Sequence, residues 1–127
     1  MDVLVEQFKW VMLVGGVLTC SMWLAVAAPQ TALRLLVGEA PSGDLPTMLA
    51  RCFGVMVGLN GVMLIWGAFH PEVRPVVLTY AALGKAAFVT LVAPHARWRR
   101  KATVALVVDG LLVVLFAAYL LAAATAA

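Results

Sequence analysis

Four long apolar stretches constrain this chain more than any other feature. They run over residues 10–28, 47–69, 75–93 and 102–124. Each has the length of a bilayer-crossing helix, about 20 residues, rather than that of a helix buried in a soluble core. Of the 127 residues, 65% are hydrophobic and only 12% are charged, and the mean hydropathy is +1.04. A soluble domain carries about 25% charged residues, so a soluble enzyme, a disordered chain and a disulfide scaffold all fit poorly. Backbone polar groups in hydrocarbon must be satisfied within their own segment, which makes the spans helices. Short connections favour antiparallel neighbours. The expected fold is all-α: one integral membrane domain over residues 1–127, an antiparallel four-helix transmembrane bundle.

Turn-forming residues separate the spans. Pro29 is expected to end the first. Gly38, Pro41, Gly43, Asp44 and Pro46 mark a loop, and residues 70–75 and 94–101 form two shorter connections. The segment Thr31–Val37 reads as a short amphipathic helix at the membrane interface. The first span closes on Ala25-Val26-Ala27-Ala28, which resembles a signal-peptidase site. No basic stretch precedes it and the apolar run is long, so it is expected to be a retained helix. Basic residues set the orientation. One face carries Arg34, Arg51, Arg97, Arg99, Arg100 and Lys101, while the other carries Lys9 and Arg74. Six against two predicts a cytoplasmic basic face and outward termini, in a bacterial inner membrane. The run Arg97-Trp98-Arg99-Arg100-Lys101 reads as a topology anchor with an interfacial tryptophan, not as a nucleic-acid patch.

Chemistry in such a chain is sought among polar residues at membrane depth. An ionisable side chain at a helix centre costs about 2.5–3.5 kcal/mol on insertion scales, so each needs a reason and a partner. Lys85, Asp109 and Asn60 meet this description, and Arg51 joins them near the basic end of the second span. Counted along their helices, Lys85 and Asp109 differ in depth by about 3 Å, which makes a pair easy between spans joined by a short connection. Arg51 is within about 5 Å of the level of Asp109. Nine positions separate Arg51 from Asn60, about 180° of azimuth, so the two face different partners. Arg51 shares a face with Gly54, Gly58 and Gly61, whose small-xxx-small spacing permits close helix approach. That stripe is expected to turn toward the bundle and Asp109, with Asn60 at another helix contact or a subunit interface. A Lys85–Asp109 pair serves either as a fold-specifying contact or as a proton or solute site.

Other motifs are weaker. Met48, Cys52 and Met56 share a face and could suit a soft metal, but methionines at helical spacing ordinarily pack. Neither a metal nor a cofactor is expected. Cys20 and Cys52 lie at different depths and read as free thiols. No phosphate loop, nucleophile elbow or metalloprotease motif occurs.

A further signal lies in the order of features. A proline-terminated first helix is followed by a Leu/Arg segment and a Gly-Pro loop, and the second helix opens Arg51-Cys52-Phe53-Gly54 and continues to Gly58 and Gly61. This layout resembles the DoxX-like group of small four-helix membrane proteins over most of the chain. The resemblance implies a fold more than a function, and it brings in a membrane subunit of a quinone-linked oxidoreductase as one expectation. The small multidrug transporters share the size and helix count but carry an acidic residue within their first span, which is missing here. Three functions are therefore expected. The first is a non-enzymatic accessory or assembly subunit that packs on itself or on a larger membrane complex. The second is an oligomeric small-solute or proton-coupled transporter using Lys85 and Asp109. The third is the quinone-linked subunit. The partners common to all are the lipid bilayer and a second copy or a larger complex.

Overall fold

The computed structural model describes residues 2–126, which are helical apart from short connections, with no strand among them. α1 (Asp2–Cys20) continues through a 3-10 turn at Ser21–Trp23 into α2 (Leu24–Ala27). There follow α3 (Pro29–Val37), α4 (Asp44–Ala68), a 3-10 turn at Pro71–Val73, α5 (Arg74–Val92), α6 (Ala96–Lys101) and α7 (Thr103–Ala126). Four segments are long and apolar enough to cross a membrane: Val3–Ala27, Asp44–Ala68, Pro71–Val92 and Thr103–Thr125. The chain is thus an integral membrane protein built as an antiparallel four-helix transmembrane bundle. The first helix begins eight residues before the expected span. Glu6, Gln7 and Lys9 lower the hydropathy there, but Phe8 between them is buried and holds this extra length against the bundle.

Local chemistry explains the breaks. Ala28 leaves helical geometry (φ −141°, ψ 74°) because the following proline disfavours it. Pro29 itself opens α3, where its missing N–H is no loss. Gly38 closes α3 in the left-handed region (φ 78°), and its N–H donates to the Arg34 carbonyl. A methyl group at Gly38 would also lie 2.7 Å from Lys101 Cδ, so only glycine lets α6 close over this turn. Within the first span, the Thr19 and Ser21 hydroxyls donate to the Gly15 and Leu18 carbonyls at 2.6 Å each. Such back-bonding bends helices, and it sits at the 3-10 turn.

The glycine stripe of α4 is consumed by the first span. A Cβ at Gly54 would stand 2.8 Å from Ala25 Cβ, at Gly58 2.5 Å from the Trp23 ring, and at Gly61 2.6 Å from the Cys20 backbone nitrogen. α1, α2 and α4 therefore form one tight hairpin, and α5 and α7 form a second. α4 touches α5, and α1 touches α7, so α4 and α7 lie on a diagonal. The hairpins meet most closely in the half nearer the termini. There Met12, Leu64, Leu78 and Phe116 are fully buried. Phe8 stacks on Tyr119 with ring centroids 4.4 Å apart and meets Phe116 edge-on at 6.2 Å. In the half nearer α3 and α6 the hairpins leave a cavity between them.

Candidate functional site

Lys85 is the centre of the site. It lies near the middle of α5 and is buried, at 6% exposure. Its ammonium donates to Asp109 Oδ1 on α7 at 3.1 Å and to Thr19 Oγ1 on α1 at 2.9 Å. Thr19 gives its own proton to the Gly15 carbonyl, so its hydroxyl oxygen is free to accept from Lys85. Lys85 and Asp109 meet as their matching depths predict, while Thr19 is a partner that the sequence does not single out. A threonine hydroxyl satisfied by its own helix is inconspicuous in a span. Depth alone would have pointed to it, because it is one of few polar side chains at the level of Lys85.

These groups line a cavity of about 480 Å³ in the half of the bundle nearer α3 and α6. Its walls are mostly apolar and include Leu18, Met22, Phe53, Val57, Phe88 and Val104. Asp109 and Asn60 also line it. The Asp109 side chain is 22% exposed, and its Oδ2 takes no hydrogen bond among the described residues. Asn60 is 8% exposed, and its buried Oδ1 has no hydrogen-bond partner among the described residues. Asn60, expected at another helix contact or a subunit interface, lines the same cavity as Lys85 and Asp109.

Arg51 does not join this cluster. It is exposed and stands one turn beyond the level at which Ala25 and Val26 close over Gly54. Asp109 is on the diagonal helix, so the matching depth brought no contact. Nor does the glycine face look toward Asp109, because the first span occupies it. Met48 and Met56 are exposed along α4 at 54% and 61%, and Cys20 and Cys52 are free thiols.

A second polar centre was not foreseen. Arg74 reads from the sequence as part of a connection, yet it is 1% exposed, the most buried charged residue described. Its Nε donates to the Gly67 carbonyl at 2.9 Å, and its terminal nitrogens donate to the carbonyls of Ala68 (2.7 Å) and Val5 (2.8 Å) and to the Tyr119 hydroxyl (3.4 Å). A helix end leaves its last carbonyls unpaired and partly negative. The planar five-donor guanidinium suits that demand. One side chain on α5 thereby ties the end of α4 to α1 and α7.

At the opposite face, Glu39 accepts hydrogen bonds from Arg97 and from Lys101 (3.0 Å). The Lys101 ammonium, helped by Arg97, holds its carboxyl below the ordinary 4.5. Trp98 lies under the Arg97 guanidinium at 4.7 Å, Arg99 donates to the Ala93 carbonyl at 2.8 Å, and Arg100 is exposed. Lys101 also lines the cavity. No known protein family, curated protein or solved structure matches the chain.

Proposed function

We propose that the chain is a non-enzymatic membrane module that binds a small, membrane-soluble solute between its two hairpins. One observation carries this reading: an ion pair that is buried on its Lys85 side and open on its Asp109 side to a mostly apolar cavity. Taking two charges out of water is expensive, and a pair that serves the fold alone gains most when packing seals it. Here Asp109 remains 22% exposed beside about 480 Å³ of space. That volume lies in the range of small-molecule sites, which are mostly apolar with a few placed polar groups. The other half of the bundle is filled by Met12, Leu64 and Phe116. Carrying the solute across would need the hairpins to part or a second copy to complete the path.

Gly84 provides the test. A Cβ there meets no atom within 4 Å, and the residue lines the cavity. Protein extracted in lipid nanodiscs and examined by native mass spectrometry is expected to retain a small molecule. Gly84→Leu, which narrows the cavity, is expected to lose it while remaining folded. An identical complement of bound molecules in both proteins overturns the reading.

The accessory-subunit and quinone-linked readings, the latter implied by the DoxX-like resemblance, need a partner protein. Gly54, Gly58 and Gly61 are spent inside the chain, so a partner helix would use another face. A stoichiometric second protein in gently extracted membranes supports those readings. A single species with a bound solute supports the module. The same proposal places the basic face in the cytoplasm of a bacterial inner membrane, with both termini outside. A cysteine introduced beside Arg99, in a background lacking Cys20 and Cys52, is then protected from an impermeant reagent added outside, and labelling overturns that orientation.

A further inference from the structure

We infer that the cavity takes an amphiphile with one alkyl chain and an anionic head group, the head lying at Lys101. This rests on the reading of the cavity as a binding site and specifies its ligand class. Two lysines line the cavity, and they differ in how far their charge is matched. Lys85, in mid-span, is paired with Asp109 at 3.1 Å. An anion bound there would meet the Asp109 carboxylate with little water to screen the repulsion. Lys101, at the α6 end, shares its carboxylate, because Glu39 also pairs with Arg97. Two cations against one carboxylate leave net positive charge. Arg99 and Arg100 adjoin Lys101 in the chain, and neither has a carboxylate partner among the described residues. The Lys101 side chain is 41% exposed, so the cavity reaches the basic face there. Its ammonium makes one hydrogen bond among the described residues, to Glu39, and keeps its other protons for a ligand.

Basic pockets between membrane helices hold anionic head groups through such unmatched charge. An ammonium head would be repelled by the same residues, and an uncharged head would leave their excess charge unanswered. Inward from Lys101 the lining turns apolar, with Leu36 from α3, Met22, Phe53, and Val104 and Val108 along α7. Six residues separate Thr103, the first of α7, from Asp109, a rise of about 9 Å. An alkyl chain therefore has an apolar path that stops short of the ion pair. The cavity of about 480 Å³ lies toward the lower end of small-molecule sites, about 300–1,000 Å³, which suits one chain rather than a two-chain lipid.

Lysine-selective nitrogen-15 labelling yields three backbone amides, those of Lys9, Lys85 and Lys101, with Lys9 at the far end of the bundle as a control. The full chain in nanodiscs of a zwitterionic lipid is titrated with dodecanesulfonate, dodecanol and dodecylammonium at equal mole fractions in the lipid. Dodecanesulfonate is expected to shift the Lys101 and Lys85 amides saturably and to leave Lys9 unmoved. The alcohol and the ammonium are expected to bind about tenfold or more weakly, because each lacks the charged hydrogen bond to Lys101. Lys101→Gln, read from the Lys85 amide, is expected to weaken sulfonate binding by a similar factor, and Lys101→Arg to keep it. Arg34→Gln removes the same charge from the same face outside the cavity lining. It is expected to change binding less than about twofold, since a screened charge at a distance contributes little. Equal losses from Lys101→Gln and Arg34→Gln, or binding undiminished by Lys101→Gln, overturn the inference in favour of diffuse surface attraction. Dodecanol or dodecylammonium bound as tightly as the sulfonate overturns the head-group assignment alone. Displacement of the sulfonate by phosphatidylglycerol at equal mole fraction overturns the single-chain assignment. No saturation by any of the three amphiphiles, with an identical complement of bound molecules in Gly84→Leu, overturns the binding-site reading as well.

Discussion

Lys85 and Arg74 are both cations buried in apolar surroundings, and they solve the same problem differently. Lys85 is balanced by a carboxylate. Removing either partner strands the other, which costs about 3–5 kcal/mol for a fully buried pair. With Asp109 22% exposed, Lys85→Met and Asp109→Asn are each expected to cost about 3 kcal/mol, the low end of that range. The double substitution should recover most of the loss, because neutral groups of similar size need no counter-charge. Chemical denaturation in detergent micelles measures all three, and a double variant as unstable as the sum of the singles refutes the coupling. Arg74 is balanced by carbonyl dipoles. Arg74→Met leaves the Ala68 carbonyl unpaired and removes a second donor from the carbonyls of Gly67 and Val5, an expected loss of about 1–3 kcal/mol. Arg74→Lys should recover little of it, since one ammonium cannot span the positions that a guanidinium fork reaches. The contrast shows what was legible. Lys85 and Asp109 stood out because charge in mid-span is expensive. Arg74 did not, because a basic residue between two prolines at a span boundary looks solvated.

At the scale of helices, the same residue type has opposite effects depending on what faces it. Gly61→Ala would place a methyl 2.6 Å from the Cys20 nitrogen and 2.9 Å from the Gly16 carbonyl oxygen, both backbone atoms. Backbone cannot yield as a side-chain tip can, so the two helices must separate, at about 1–3 kcal/mol. Gly84→Ala meets open space and removes a helix-interior glycine, so it should stabilise by about 0.5–1 kcal/mol. Thermal melts of the two variants should therefore move in opposite directions, and a shift of the same sign in both would contradict the packing described. The spacing of Gly54, Gly58 and Gly61 was enough to predict a close helix contact. It did not say that the first span would be the partner. Arg51 shows the cost of that gap: depth placed it near Asp109, while the ring order of the helices put the two on a diagonal.

For the molecule as a whole, the two ends of the bundle are held by different forces. The half nearer the termini is closed by aromatic packing and Arg74, while the other end is drawn together by Glu39 with Lys101 and Arg97. Because the Glu39 carboxyl is held below its ordinary value, this second tie is complete above the usual carboxylate range and is lost as the pH falls through the lowered value. Trp98 reports on it through Arg97, so its fluorescence is expected to be steady near neutrality and to change only in acid, below about pH 4.5. Glu39→Gln and Trp98→Phe should each abolish the change, and an acid transition that survives both would place its origin elsewhere. The sequence by itself determined the solvent, the number of spans, their antiparallel order and the two ionisable residues that had to find partners. These follow from hydropathy, from helix length against bilayer thickness and from the energetic penalty on charge in hydrocarbon, all of which are properties of single segments. Only the tertiary structure decided that Thr19 joins the pair, that Asn60 lines the same cavity, that Arg51 stays outside and that Arg74 goes in. It alone also shows that the hairpins stand apart around a cavity. Those outcomes depend on which helices are neighbours and how far apart they stand, and no single segment carries that information.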